Sequence, residues 1–152
     1  MDSGELAEAA FAALARRDFD GFLDLMDPDV EFTSLIAESE AKLFRGHAGV
    51  RQFLDQLLSV FPDWRPTVES AESHADSALV KVRFEGTGVG SGTTVEQVGW
   101  QVAHARDGKV IGWCFFRTEE EARRALRENL SAGEVAAAAG ELGPPRSPHP
   151  RP

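Results

Sequence analysis

Residues 106–118 read RDGKVIGWCFFRT, and how this stretch packs decides what kind of sheet the chain builds. Asp107–Gly108 between apolar runs is the strongest short-range signal for a two-residue hairpin turn. The segment after it is therefore expected to be a β-strand that returns along residues 94–105. An ordinary surface strand alternates apolar and polar residues, because successive side chains point to opposite faces. Here Val110, Cys114 and Phe116 fall on one face and Ile111, Trp113 and Phe115 on the other. Both faces need cover.

A two-residue turn also sets the register. With no irregularity His104 faces Ile111, Val102 faces Trp113, Trp100 faces Phe115 and Val98 faces Arg117, and these eight share one bulky face. The opposite face then carries Gly99, Gln101, Ala103, Val110, Gly112, Cys114 and Phe116, which is mostly small and flat. One helical layer covers one face of a sheet. The bulky face is therefore expected to curl around an interior closed by a long helix, and the flat face to pack against a second copy in a homodimer.

Working outward, Asp2 and Glu5 have capping-box spacing before the helical pattern of Leu6, Ala10, Ala13 and Leu14. Phe19, Phe22, Leu23 and Met26 suggest a second short helix closed by Pro28. Residues 29–36 are strand-like. Val50, Phe53, Leu54, Leu57, Leu58 and Phe61 mark the clearest amphipathic helix, stopped at Pro62. Period-two patterning then predicts strands at 66–73, 77–87, 94–105 and 109–117. Thr118 and Glu121 open a last helix to about Asn129. Residues 1–131 are expected to form one domain. The tail, 132–152, is expected to be largely disordered, since it is dense in proline from Gly143 onward and has little to pack.

The totals set limits on function. The 152 residues carry 42% apolar and 27% charged side chains, with a formal net charge of −9. That is the balance of an ordinary globular domain. The acidic charge argues against nucleic acid, whose phosphates need a basic footprint, and against an anionic membrane surface. A single cysteine excludes an internal disulfide and fits a reducing compartment. The acidic start MDSGELAEAAF is unlike a secretory signal, and no apolar run approaches the ~20 residues of a bilayer span. A cytoplasmic location is expected. The four histidines lack metal-ligand spacing, so neither a metal nor another cofactor is expected. GTGVGSG, Gly86–Gly92, joins two strands, whereas phosphate loops run into a helix N-terminus.

The stretches DPDVEF (27–32), RGHAGVRQFL (45–54), FPDW (61–64), GTGVGSG, RDGKVIGW (106–113) and TEEEARRAL (118–126), in this order and spacing, resemble the nuclear transport factor 2-like superfamily. The branch they are most similar to is the SnoaL-like one, and the resemblance spans residues 5–130. It implies an α+β fold in which a cone-shaped, curved antiparallel sheet wraps around helices, a cystatin-like barrel with an internal pocket. Such proteins are frequently dimeric through the sheet. The superfamily includes ketosteroid isomerases, limonene-epoxide hydrolase-like enzymes and polyketide cyclases.

Carried across residue by residue, the family's acids are missing. The isomerase base falls at Ser34 by one count and at Ala37 by another, and the nearest carboxylates are Glu38 and Glu40. The isomerases' oxyanion tyrosine has no counterpart, since the chain has no tyrosine, and their oxyanion aspartate falls on Trp100. The Arg-x-Asp pair and second aspartate of the hydrolases fall near Val82, Phe84 and Phe115, and the acid of several cyclases also falls at Phe115.

Two readings therefore stand. In the first, the pocket binds a small hydrophobic molecule of polyketide, terpenoid or steroid type. It would be lined by Phe32, Ser34, Val82, Phe84, Val98, Trp100, Val102, Trp113, Phe115 and Arg117, with Glu38 or Glu40 as the base of an isomerase, cyclase or hydratase. A carboxylate at the lip of an apolar pocket has its pKa raised by desolvation, as proton abstraction near neutral pH requires. In the second, the aromatic residues fill the barrel, and the protein is a non-catalytic dimerisation or partner-binding module.

Overall fold

The structure, a computed structural model, describes residues 1–34 and 42–135. Helix α1 (Ser3–Ala15) starts from the expected capping box: the Asp2 carboxylate accepts from the Glu5 N–H, and the Glu5 carboxylate accepts from the Asp2 N–H. Helix α2 (Phe19–Asp24) is shorter than the sequence suggests, and Pro28 lies inside strand β1 (Met26–Ser34). The missing proline N–H is tolerated at the irregularity in β1 between Met26 and Glu31. Strand β2 (Lys42–Arg45), absent from the sequence reading, precedes helix α3 (Gly46–Val60). Strands β3 (Arg65–His74), β4 (Ser77–Thr87), β5 (Thr94–Arg106) and β6 (Lys109–Phe116) follow, then helix α4 (Glu119–Glu128).

The six strands form one curved, unclosed sheet in the order β2-β1-β6-β5-β4-β3. Every pair is antiparallel except β1 with β6, which run parallel. Helix α3 lays Val50, Phe53, Leu54 and Leu57 into the concave face. Each such side chain, fully buried, contributes roughly 1.5–3 kcal/mol. Helix α1 adds Leu6, Phe11 and Leu14 from the other side of the same core.

The β5–β6 hairpin departs from the even register at one residue. Asp107 (φ +54°) and Gly108 (φ +76°) form the tight turn, both in the left-handed region that such turns demand. Arg106 faces Lys109 and Ala105 faces Val110, as the turn requires. The next pair is His104 with Gly112, so Ile111 is an extra residue, a β-bulge. Beyond it the pairs are Ala103–Trp113, Val102–Cys114, Gln101–Phe115 and Trp100–Phe116. One inserted residue exchanges the faces of everything after it.

This corrects the expected faces. Trp113 and Phe115 share the concave face with Gln101 and Ala103. Trp100 and Val102 lie on the outer face with Cys114 and Phe116. The flat, small face expected to meet a second copy is thus not one face. The outer face has its own cover, since Leu79, Val102 and Ala122 form a second buried cluster with Trp100, Phe116 and Leu126 packed against it. Two helical layers sandwich the sheet, and α4 is the second. It is capped by the Thr118 hydroxyl, which accepts from the Glu121 N–H, and it ends at Asn129 in the left-handed conformation. The covalent path continues over the outer face: Thr33 Oγ1 donates to the Ala132 carbonyl, and Ala132 is buried.

Candidate functional site

The concave face and the helices over it leave a cavity of about 140 Å³. Its inner end is built from buried Phe11, Phe22, Phe32, Phe53 and Trp113. The Trp113 ring centroid lies 4.9 Å from Phe11, 5.9 Å from Phe22 and 6.2 Å from Phe32. The mouth is formed by Phe61, Trp64, Glu85, Val95 and Gln97, with Val95 41% exposed. Between mouth and floor runs an aromatic wall: Trp64 stacks on Phe84 at 5.5 Å, and Phe84 meets Phe115 edge-on at 5.6 Å. Pairs of this geometry add to the burial of the rings themselves.

The local sequence explains why the mouth stays in place. After α3 the chain turns through Pro62, and Asp63 accepts a hydrogen bond from the Thr87 N–H at 2.7 Å. That bond, from the last residue of β4, holds the Asp63 carboxyl below the usual carboxylate range. Within GTGVGSG, the Val89 N–H donates to the Val60 carbonyl, which ties the connection to the end of α3.

Among the described residues Glu85 is the only charged one lining the cavity, and it sits at the mouth with an Arg65 guanidinium nitrogen 3.6 Å from its carboxylate. The one deep polar side chain among the described lining residues is Gln101, only 3% exposed. Sequence reasoning missed it, because the even register turned it to the flat face. The signal was present in Gly112, since a glycine inside a strand pattern often marks a bulge. A Cβ there would come within 3.3 Å of the His104 ring.

Of the residues expected to line a pocket, Phe32, Phe84, Trp113 and Phe115 line this cavity. Val82 is fully buried on the same face. The bulge places Val98, Trp100 and Val102 on the outer face, where Val102 is buried and Trp100 packs under α4. Trp100 is therefore no stand-in for an oxyanion donor. Arg117 is exposed beyond the end of β6. Ser34 pairs with Lys42 through the backbone, and its side chain lies outside the described residues. Glu38 and Glu40, the expected bases, also lie outside them. Among the described residues no group of three His, Cys, Asp or Glu side chains is placed to hold a metal ion.

His104 serves the outer face. Its Nε2 lies 2.7 Å from the Leu130 carbonyl and its Nδ1 lies 2.8 Å from Ser77 Oγ. A carbonyl only accepts, so Nε2–H donates and Nδ1 is left to accept the serine hydroxyl in the neutral ring. Both nitrogens are occupied in holding the segment after α4 to β4 and β5. Cys114 is buried, and desolvation pushes its thiol up to about 12 against a smaller opposing hydrogen bond with Thr33.

A curved sheet with helices across its concave face and an aromatic cavity between them defines the nuclear transport factor 2-like fold. Within it, this chain belongs to the SnoaL-like domain family, whose model matches residues 7–113. An NTF2-like protein from Burkholderia pseudomallei is 19% identical, covering 82% of this chain and 97% of its own, with a TM-score of 0.69. TerC, co-crystallised with polyporic acid, is 25% identical, covering 81% of this chain and 96% of its own, with a TM-score of 0.67. RV0760c from Mycobacterium tuberculosis, in complex with estradiol-17beta-hemisuccinate, is 16% identical over 79% of this chain and 97% of its own, with a TM-score of 0.65. No curated protein matches the chain. Among the described residues no helix is long and apolar enough to cross a membrane.

Proposed function

We propose that the protein binds a small, mainly apolar molecule in the cavity between the sheet, α1 and α3. The observation that carries this reading is the aromatic cavity itself. A cavity of about 140 Å³ is on the scale that accepts a benzene-sized ring. Because the cavity opens at Trp64 and Val95, a polyketide-, terpenoid- or steroid-like ligand would insert one ring and leave the rest at the mouth. The ligands of TerC and RV0760c support a small-molecule role for this fold.

Turnover is the further part of the proposal. If the site is an isomerase or cyclase, its base comes from Glu38 or Glu40 on the connection between β1 and β2, because among the described residues the cavity holds no carboxylate deeper than Glu85. A homodimer is proposed as well. Formed through the sheet, it would meet α4 with Trp100 and Phe116 beside it, and light scattering at micromolar protein decides it.

Native mass spectrometry of the protein purified from its own organism tests the binding reading. A non-covalent adduct of about a hundred to a few hundred daltons, the scale of pocket ligands, is expected. A bare mass, with no small apolar molecule binding on addition, overturns the reading. Loss of turnover of an identified ligand in both Glu38→Gln and Glu40→Gln separates catalysis from binding alone.

A further inference from the structure

Gln101 is a polar side chain in a place where polar side chains are costly. It is 3% exposed and lines the inner cavity. Its cross-strand neighbours are Val80 and Phe115, and Gly99 and Ala103 flank it on its own strand face. None of these side chains carries a hydrogen-bonding group. Among the described residues the carboxamide has no hydrogen-bond partner, and its atoms are not sealed in protein, so what remains open to them is the cavity. Burying such a group unpaired disfavours the folded state. A leucine or methionine would fill the space without that cost.

We infer that Gln101 orients the ligand, and that the ligand carries a neutral head with a donor and an acceptor side by side on an apolar body one ring wide. This rests on the cavity being the binding site. A carboxamide offers one acceptor oxygen and two donor hydrogens from a single planar group. Its natural complement is another planar donor–acceptor pair, such as a primary amide or an un-ionised acid. An anionic head does not fit, because among the described residues no cationic side chain lines the cavity and the one charge there is the Glu85 carboxylate at the mouth. A carboxylate would enter a low-dielectric space with no cation among the described lining residues to pair it. A site built to bond a polar head also rejects the analogue lacking it, because its own amide is then left unpaired.

Calorimetric titration of the full chain at neutral pH with toluene, benzamide and benzoate tests this, in the wild type and in Gln101→Leu, with Gln101→Met as a second variant. Toluene is expected to bind the wild type and to bind the variants at least as tightly. The benzamide-to-toluene affinity ratio is expected to fall about tenfold on either substitution, the scale of a buried hydrogen bond. Benzoate is expected to bind more weakly than benzamide. The ligand-free variants are expected to melt higher by about 2–4 °C, as removal of an unpaired polar group implies in a chain of this size. An unchanged benzamide-to-toluene ratio, with toluene still binding, overturns the role of Gln101 and leaves the cavity as the binding site. Benzoate equal to benzamide overturns the neutral head. Failure of both toluene and benzamide to bind the wild type overturns the cavity reading, and this inference with it.

Discussion

The ring of Phe115 lies across Gly99. A Cβ at position 99 would come within 2.2 Å of Phe115 Cε1 and 2.4 Å of Cζ. The glycine leaves the space over β5 that the aromatic ring then fills, and the ring becomes the middle of the wall between the mouth and Gln101.

Gly99→Ala is therefore expected to displace Phe115 and to destabilise the protein by roughly 1–3 kcal/mol, the usual cost of overpacking. Phe115→Leu made in the Gly99→Ala background should recover part of that loss. Urea unfolding of the two single variants and the double variant measures the coupling. Independent, additive effects would mean that the ring and the glycine do not share the space.

The mouth is held by Asp63 and Thr87. Hydrogen bonds from the Thr87 backbone, and then its side chain, lower the Asp63 carboxyl below the ordinary aspartate value. A group with a depressed folded-state pKa contributes stability above its unfolded pKa and loses it as pH falls through the lower, folded value. The Thr87 amide resonance is expected to titrate with a midpoint below that of an unstructured aspartate. A midpoint at or above it would show that the bond is not formed in solution. In Asp63→Ala the same amide should exchange faster with solvent while the core amides of β4 are unchanged.

Cys114 is expected to be silent toward thiol reagents. With its thiol pushed to about 12 by burial, only roughly one molecule in ten thousand carries a thiolate at pH 8. Dithionitrobenzoate should release no colour from the native protein and one equivalent after unfolding in urea. The raised value also implies that the fold loses stability as pH rises from the unfolded thiol's range toward 12. Reaction of the native thiol within minutes at pH 8 would mean that the outer face opens.

Much of this architecture was legible because it rests on local chemistry. The Asp2–Glu5 box, the stripe from Val50 to Leu57 and the Asp107–Gly108 turn each act over a few residues, and each stands in the structure where its pattern puts it. Strand β4 has the expected bounds, 77–87. The losses came from long-range pairing. Strand β2 is four residues held by β1, too short for a period to show. The bulge at Ile111 adds a single residue, yet it moved Trp100 and Val102 out of the pocket and brought Gln101 into it. Ile111, Trp113 and Phe115 look like one face only if no residue is extra. Cover on the outer face was equally hidden, because the apolar stripe of α4 is two alanines and a half-buried leucine.

The most direct test of the central claim is a methyl spectrum of leucine-labelled protein titrated with toluene. Leu14, Leu54 and Leu57 line the cavity, whereas Leu79 and Leu126 belong to the cluster beneath α4 on the other side of the sheet. The expected result is saturable shifts of the first three with the last two unmoved. Unmoved cavity leucines, or shifts confined to Leu79 and Leu126, would contradict a binding site on the concave face.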